Sequence, residues 1–208
     1  MTKKFLYKII IISAVLFVSL LTCCGGGNSS TTPPSNTTPP SPYNSVGELV
    51  GIEITGPNTS ISLKVYSGTP YLAYVGSDKF AHVKKYDTGV ADWVDVGISA
   101  TSSATSFVRL EIDSNGNPFI IYIDSASNNV KVKEFVGGSW TADIGGSLGT
   151  ALSTATAPAI ALYQNKPVIV FIDSSTKQVL ARLYNGSSWS PAKAISDGVA
   201  DDVSLYVD

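Results

Sequence analysis

The chain repeats itself with a period near 48 residues, and that period restricts its fold more than any other property. Pro70, Pro118 and Pro167 stand 48 and 49 residues apart, each followed four residues later by an aromatic: Tyr74, Tyr122 and Phe171. Trp93, Trp140 and Trp189 stand 47 and 49 apart. Val50-Gly51-Ile52, Val96-Gly97-Ile98 and Ile144-Gly145-Gly146 recur at 46 and 48. Landmarks that move together define one structural unit copied along the chain. Periods of about 20 to 50 residues belong to solenoids, propellers and arrays.

Within each copy the pattern is four short strands. The first is Leu63–Val65, Leu110–Ile112 or Ile160–Leu162, with apolar residues alternating. A turn follows, clearest at Asp113-Ser114-Asn115-Gly116-Asn117, where Asn-Gly supplies the positive φ angles of a tight hairpin. The second strand is almost continuously apolar, as in Phe119-Ile120-Ile121-Tyr122-Ile123 and Val168-Ile169-Val170-Phe171-Ile172. A strand apolar at successive positions is covered on both faces. The third alternates, as in Val130-Lys131-Val132-Lys133, and so lies nearer solvent. The fourth starts at the Trp and runs to Val96, Ile144 or Ile195. After the first 21 residues no segment carries helical periodicity over three turns.

Four-stranded units of this length, with the second strand sandwiched, predict an all-β chain: a partial β-propeller of four-stranded antiparallel blades. Over residues 45–208 the sequence resembles propeller repeats, most clearly at Leu110, Asn117, Pro118, Tyr122, Asp124, Val132, Lys133 and Trp140. The units span about 57–98, 105–146 and 157–197, and another begins at 202–208, where Leu205 takes the register of Leu110. The first unit departs from the pattern at Gly76, where the others have Asp124 and Asp173, and in a longer stretch from Asp87 to Trp93. Leu49–Ile52 reads as a fourth strand without its preceding three. Closed propellers have about four to eight blades, and three cannot close. The resemblance therefore implies an N-terminal orphan strand that completes a last blade, in a fragment whose C-terminal blades lie beyond residue 208. A short chain closed by self-association is the alternative.

The N-terminus carries an address. Lys3, Lys4 and Lys8 precede Ile9–Leu21, an apolar stretch of 13 residues. A membrane-spanning helix needs about 20, so a removable export signal is favoured. Leu20-Leu21-Thr22-Cys23-Cys24-Gly25-Gly26-Gly27 resembles a bacterial lipoprotein lipobox. That resemblance implies a signal peptide over 1–23 and a lipid on Cys24, with Cys23 as the alternative. It further implies export and a lipid anchor that partners the chain with a membrane of the cell envelope. With Gly25 and no Asp after the lipidated Cys, the outer membrane or cell surface is the implied site. Residues 24–44 are an uncharged Gly/Ser/Thr/Pro-rich tether, too poor in apolar side chains to order itself.

Charged residues make up 14% of the chain and the net charge is −2, falling to −5 once Lys3, Lys4 and Lys8 are removed. That excludes the electrostatic footprint of a nucleic-acid binder. One His and two adjacent Cys leave no material for a zinc cluster or disulfide framework, and no cofactor or metal is implied. The candidate ligand-binding residues are Asp124, Asp173, Trp140 and Trp189. The two carboxylates either bind calcium or sugar or cap their own turns. The two indoles either stack on sugars or pack between blades. His82 has no acid or nucleophile placed beside it by sequence, and Arg109 and Arg182 alone cannot form the arginine cluster that sialidase-like propellers imply. The expectation is a non-catalytic binding or scaffold propeller with a glycan or protein ligand. Alternatives are a carbohydrate-binding, lectin-like propeller, and a sialidase- or glycosidase-like enzyme whose catalytic residues sit in further blades.

Overall fold

The structure is a computed structural model, and it describes residues 60–151 and 158–206. The signal and tether, Cys23 and Cys24, the Val50-Gly51-Ile52 segment and the last two residues lie outside the described residues. Among the described residues there are strands and turns but no helix.

Blade 1 is built from β1 (Ile61–Tyr66), β2 (Thr69–Val75), β3 (Ala81–Asp87) and β4 (Asp92–Asp95). Blade 2 follows with β5 (Thr105–Ile112), β6 (Pro118–Asp124), β7 (Val130–Val136) and β8 (Ser139–Trp140). Blade 3 has β9 (Ala159–Tyr163), β10 (Lys166–Ile172), β11 (Val179–Leu183) and β12 (Lys193–Ala194). In each, neighbours in sequence are neighbours in the sheet, and every pairing is antiparallel. The chain is thus a partial β-propeller of three four-stranded blades.

The continuous apolar runs become sandwiched second strands. Every residue of β6 is buried, as is all of β10 except Lys166 at its start. Side chains on a strand point alternately to opposite faces. On one face of β6, Phe119, Ile121 and Ile123 join Ile160, Ile169 and Phe171 of blade 3. On the other, Ile120 and Tyr122 join Ala73, Ala81 and Val83 of blade 1. First strands make direct contact between blades as well. Ser60 Oγ donates to Val108 O at 2.8 Å, and Leu110 N donates to Ser62 Oγ at 3.1 Å.

The fourth strands of blades 2 and 3 are shorter than the sequence suggests, and β12 begins four residues beyond Trp189, which makes only an isolated bridge to Tyr184. Pro191 explains part of this, since it has no N–H for a ladder. Residues 202–206 form no strand, although Val203 and Leu205 pack on Val170 and Ile172 of blade 3.

Candidate functional site: a cleft between two blades

The turns β1–β2 and β3–β4 of a four-stranded meander fall at one end of the blade, and β2–β3 falls at the other. At the first end, blades 1 and 2 leave a cleft of about 350 Å³ between them. Blade 1 supplies Tyr71 from β2, Lys85 from β3 and Asp95 from β4. Blade 2 supplies Asn117 from the β5–β6 turn, Phe135 from β7 and the Gly137-Gly138 turn that follows. Tyr71 and Lys85 are direct cross-strand partners, so both side chains point at blade 2. Gly137 (φ 61°) and Gly138 (φ 84°) supply two successive left-handed residues, the backbone of a tight hairpin turn.

The chemistry of the lining is mixed. Burial, and to a lesser degree the nearby Tyr66, pushes the Tyr71 phenol upward, so at neutral pH it is an intact O–H that donates and accepts. Lys85 makes no ion pair among the described residues and presents three donors. Asp95 borders the cleft, but its carboxylate turns to the other face of blade 1, where it meets Lys84 at 2.9 Å. Phe135 gives an aromatic wall, packed on Trp140 with ring centroids 5.3 Å apart and planes at 59°. An apolar wall with a few converging polar groups is the usual make-up of a small-ligand site.

Trp140 and Trp189 do not open into the cleft; they join blades. The Trp140 indole N–H donates to Val96 O at 2.9 Å, and the Trp189 indole N–H to Ile144 O at 2.7 Å. The residue after each carbonyl is glycine in the left-handed region, Gly97 at φ 75° and Gly145 at φ 70°. A Cβ at Gly97 would stand 2.8 Å from the Phe135 ring and 3.3 Å from Trp140. A Cβ at Gly145 would collide with Trp189 Cδ1. The repeated Val-Gly and Ile-Gly pairs are seats for the indole of the next blade.

Asp124 and Asp173 lie at the opposite end of their blades, away from the cleft, and the structure does not bring them together with the two Trp side chains. Asp124 Oδ1 accepts from Ser127 N at 3.0 Å and Ser127 Oγ at 2.7 Å, and Oδ2 accepts from Ser103 Oγ at 2.9 Å. Asp173 Oδ1 accepts from Ser175 N at 3.0 Å and Thr176 N at 2.9 Å. The Ser127 hydroxyl bond, working against burial and helped by Ser103 and Lys131, holds the Asp124 carboxyl down at about 2. The Ser175 hydroxyl lowers Asp173 in the same way.

Two placements differ from the sequence reading. Lys131 and Lys133, expected on a solvated face, turn toward Asp143 at 3.3 and 3.5 Å, and Lys133 is buried. The Tyr122 hydroxyl donates to the same carboxylate at 2.5 Å, and burial followed by that carboxylate drives the phenol far above its ordinary range. His82 does have an acid beside it: Asp78 Oδ2 lies 2.9 Å from Nε2, placed there by the Gly76–Lys79 turn. Gly76 stands where the other blades have Asp because a Cβ there would meet Asp78 and the His82 ring at 2.7 and 2.9 Å. Sequence reasoning missed Tyr71, Lys85 and Asn117 as a group. Only the pairing register of β2 with β3, which hairpin length sets, could have joined the first two.

No protein-family model matches the sequence, and the search of curated proteins found no match. Among solved structures, the chain is similar to AofleA from Arthrobotrys oligospora, with a TM-score of 0.56 at 10% identity, over 71% of this chain and 45% of that one. It is also similar to a variant of the Aleuria aurantia lectin AAL in complex with Fucα1-6GlcNAc, with a TM-score of 0.49 at 17% identity, over 72% and 52%. A third is GH43B of the xyloglucan PUL of Bacteroides ovatus, with a TM-score of 0.49 at 14% identity, over 70% and 32%. The chain spans less than half the length of the AofleA structure it matches. Glycoside hydrolases and a polysaccharide lyase stand among the matched structures, which corrects the expectation that the chain is not an enzyme. The physical reason is that blades of one architecture carry binding and catalytic sites alike, because either site is added at loops and clefts without altering the sheets.

Proposed function

We propose that the chain is a carbohydrate-recognising propeller, exported and held at the cell envelope by a lipid on Cys24, and that sugar binds in the cleft between blades. The observation that carries this reading is the cleft's lining. Phe135 offers an apolar wall to the C–H face of a sugar ring, while Tyr71, Lys85 and Asn117 surround it with donors and acceptors for hydroxyls. Clefts repeated around a propeller would give multivalent binding, in which weak single sites add to a high avidity.

A glycan array probed with the exported chain tests the reading. Binding to a defined group of glycans is expected, and Tyr71→Ala or Lys85→Ala should weaken it at least about tenfold with the thermal midpoint unchanged. An array without binding, or variants that bind equally, would sink the cleft as the site. The anchor is tested separately by fatty-acid labelling in a bacterial host. Cys24→Ser should abolish the label, and labelling that persists would move the lipid to Cys23.

A further inference from the structure

Trp93 is prepared for a partner that blades 2 and 3 show and blade 1 lacks. Its ring packs on Tyr86 at 5.8 Å, as Trp140 packs on Phe135 and Trp189 on Tyr184. It is buried with Leu72 and Tyr74. Yet its Nε1 is buried with no hydrogen-bond partner among the described residues, whereas the other two indoles each donate to a carbonyl of the preceding blade. A buried N–H left unpaired is rare in folded proteins and signals an acceptor not yet in place.

The repeat says what that acceptor is. Trp140 uses the carbonyl of Val96 and sits on Gly97; Trp189 uses the carbonyl of Ile144 and sits on Gly145. Counting back one period, the corresponding pair is Val50-Gly51, which lies outside the described residues. We infer that this segment of the same chain docks on the outer edge of blade 1. The Val50 carbonyl accepts the Trp93 indole N–H, and Gly51 lies beneath the ring because a side chain there would meet it as at Gly97 and Gly145. The site thus takes a short strand end, with one carbonyl and one glycine, as its occupant.

The three Trp residues make the test simple, because each indole N–H gives one resonance in a chain labelled with ¹⁵N-tryptophan. In the intact chain the Trp93 indole should exchange with solvent as slowly as those of Trp140 and Trp189. Gly51→Val should speed Trp93 exchange at least about tenfold and leave the other two unchanged. If Gly51→Val lowers all three together, Gly51→Ala is compared with Gly47→Ala, and only the former should act. Three results would overturn the inference. They are fast Trp93 exchange in the intact chain, protection indifferent to residue 51, and protection that falls on dilution, which would assign the edge to a second copy.

Discussion

Asp124 shows how a residue chosen for ligand chemistry acquires a structural task. Its carboxylate takes hydrogen bonds from Ser103, Ala126 and Ser127, and Lys131 Nζ stands 3.6 Å away. Its folded value of about 2 lies below the ordinary carboxylate value of about 3.9. A depressed carboxyl contributes stability above its unfolded value and loses it as pH falls through its folded one. The contribution is expected to be about 2 kcal/mol, complete above pH about 4 and gone near pH about 2. Urea denaturation from pH 7 to 2 should therefore show a steeper acid loss in the native chain than in Asp124→Asn. Parallel curves would mean that the turn and not the charge holds this corner. The identity of such residues was legible in the sequence, since carboxylate followed by Ser-rich turn is a local pattern. The cleft was not. Tyr71 and Lys85 are 14 positions apart, and Phe135 comes from another blade, so their meeting depends on register and on packing between sheets.

At the scale of the strand, the same sequence position has different surroundings in successive blades. Leu63, Leu110 and Ile160 hold one register, two residues before the position paired with the repeating Pro. Leu110 is 1% exposed and Ile160 4%, because a preceding blade covers each; Leu63 is 58% exposed. Leu110→Ala should cost about 2–5 kcal/mol, the range for a well-packed core leucine, and Leu63→Ala less than about 1 kcal/mol. Chemical denaturation of both variants checks this, and equal costs would mean that the leading face of β1 is covered. Periodicity alone anticipated the strands and the doubly covered β6 and β10, because apolar character at successive positions has one physical reading in a strand. It overestimated the fourth strands of blades 2 and 3. Pro191 has no N–H to give to a ladder and interrupts the last of them.

Across the whole molecule, blades 1 and 2 share one apolar cluster, blades 2 and 3 another, and blade 3 carries a third beneath the C-terminal residues. Repeat proteins of this kind are stabilised by each unit and by the interface with its nearest neighbour, so a defect should remain local. The Trp189 bond to Ile144 O is a polar link across the second interface, and Arg182 adds another by donating to Leu148 O at 2.9 Å. Trp189→Phe keeps an aromatic ring on Gly145 but deletes the donor, which should cost about 1 kcal/mol and quicken exchange roughly fivefold. Amide hydrogen exchange should show that increase in β9, β10 and β11 while β1, β2 and β3 keep their native protection. If protection falls by the same factor in all three blades, the interfaces bind them into one cooperative unit. The edge of blade 1 would then be coupled to blade 3 two interfaces away, and a glycan seated between blades 1 and 2 should restore the lost protection in β9 through β11.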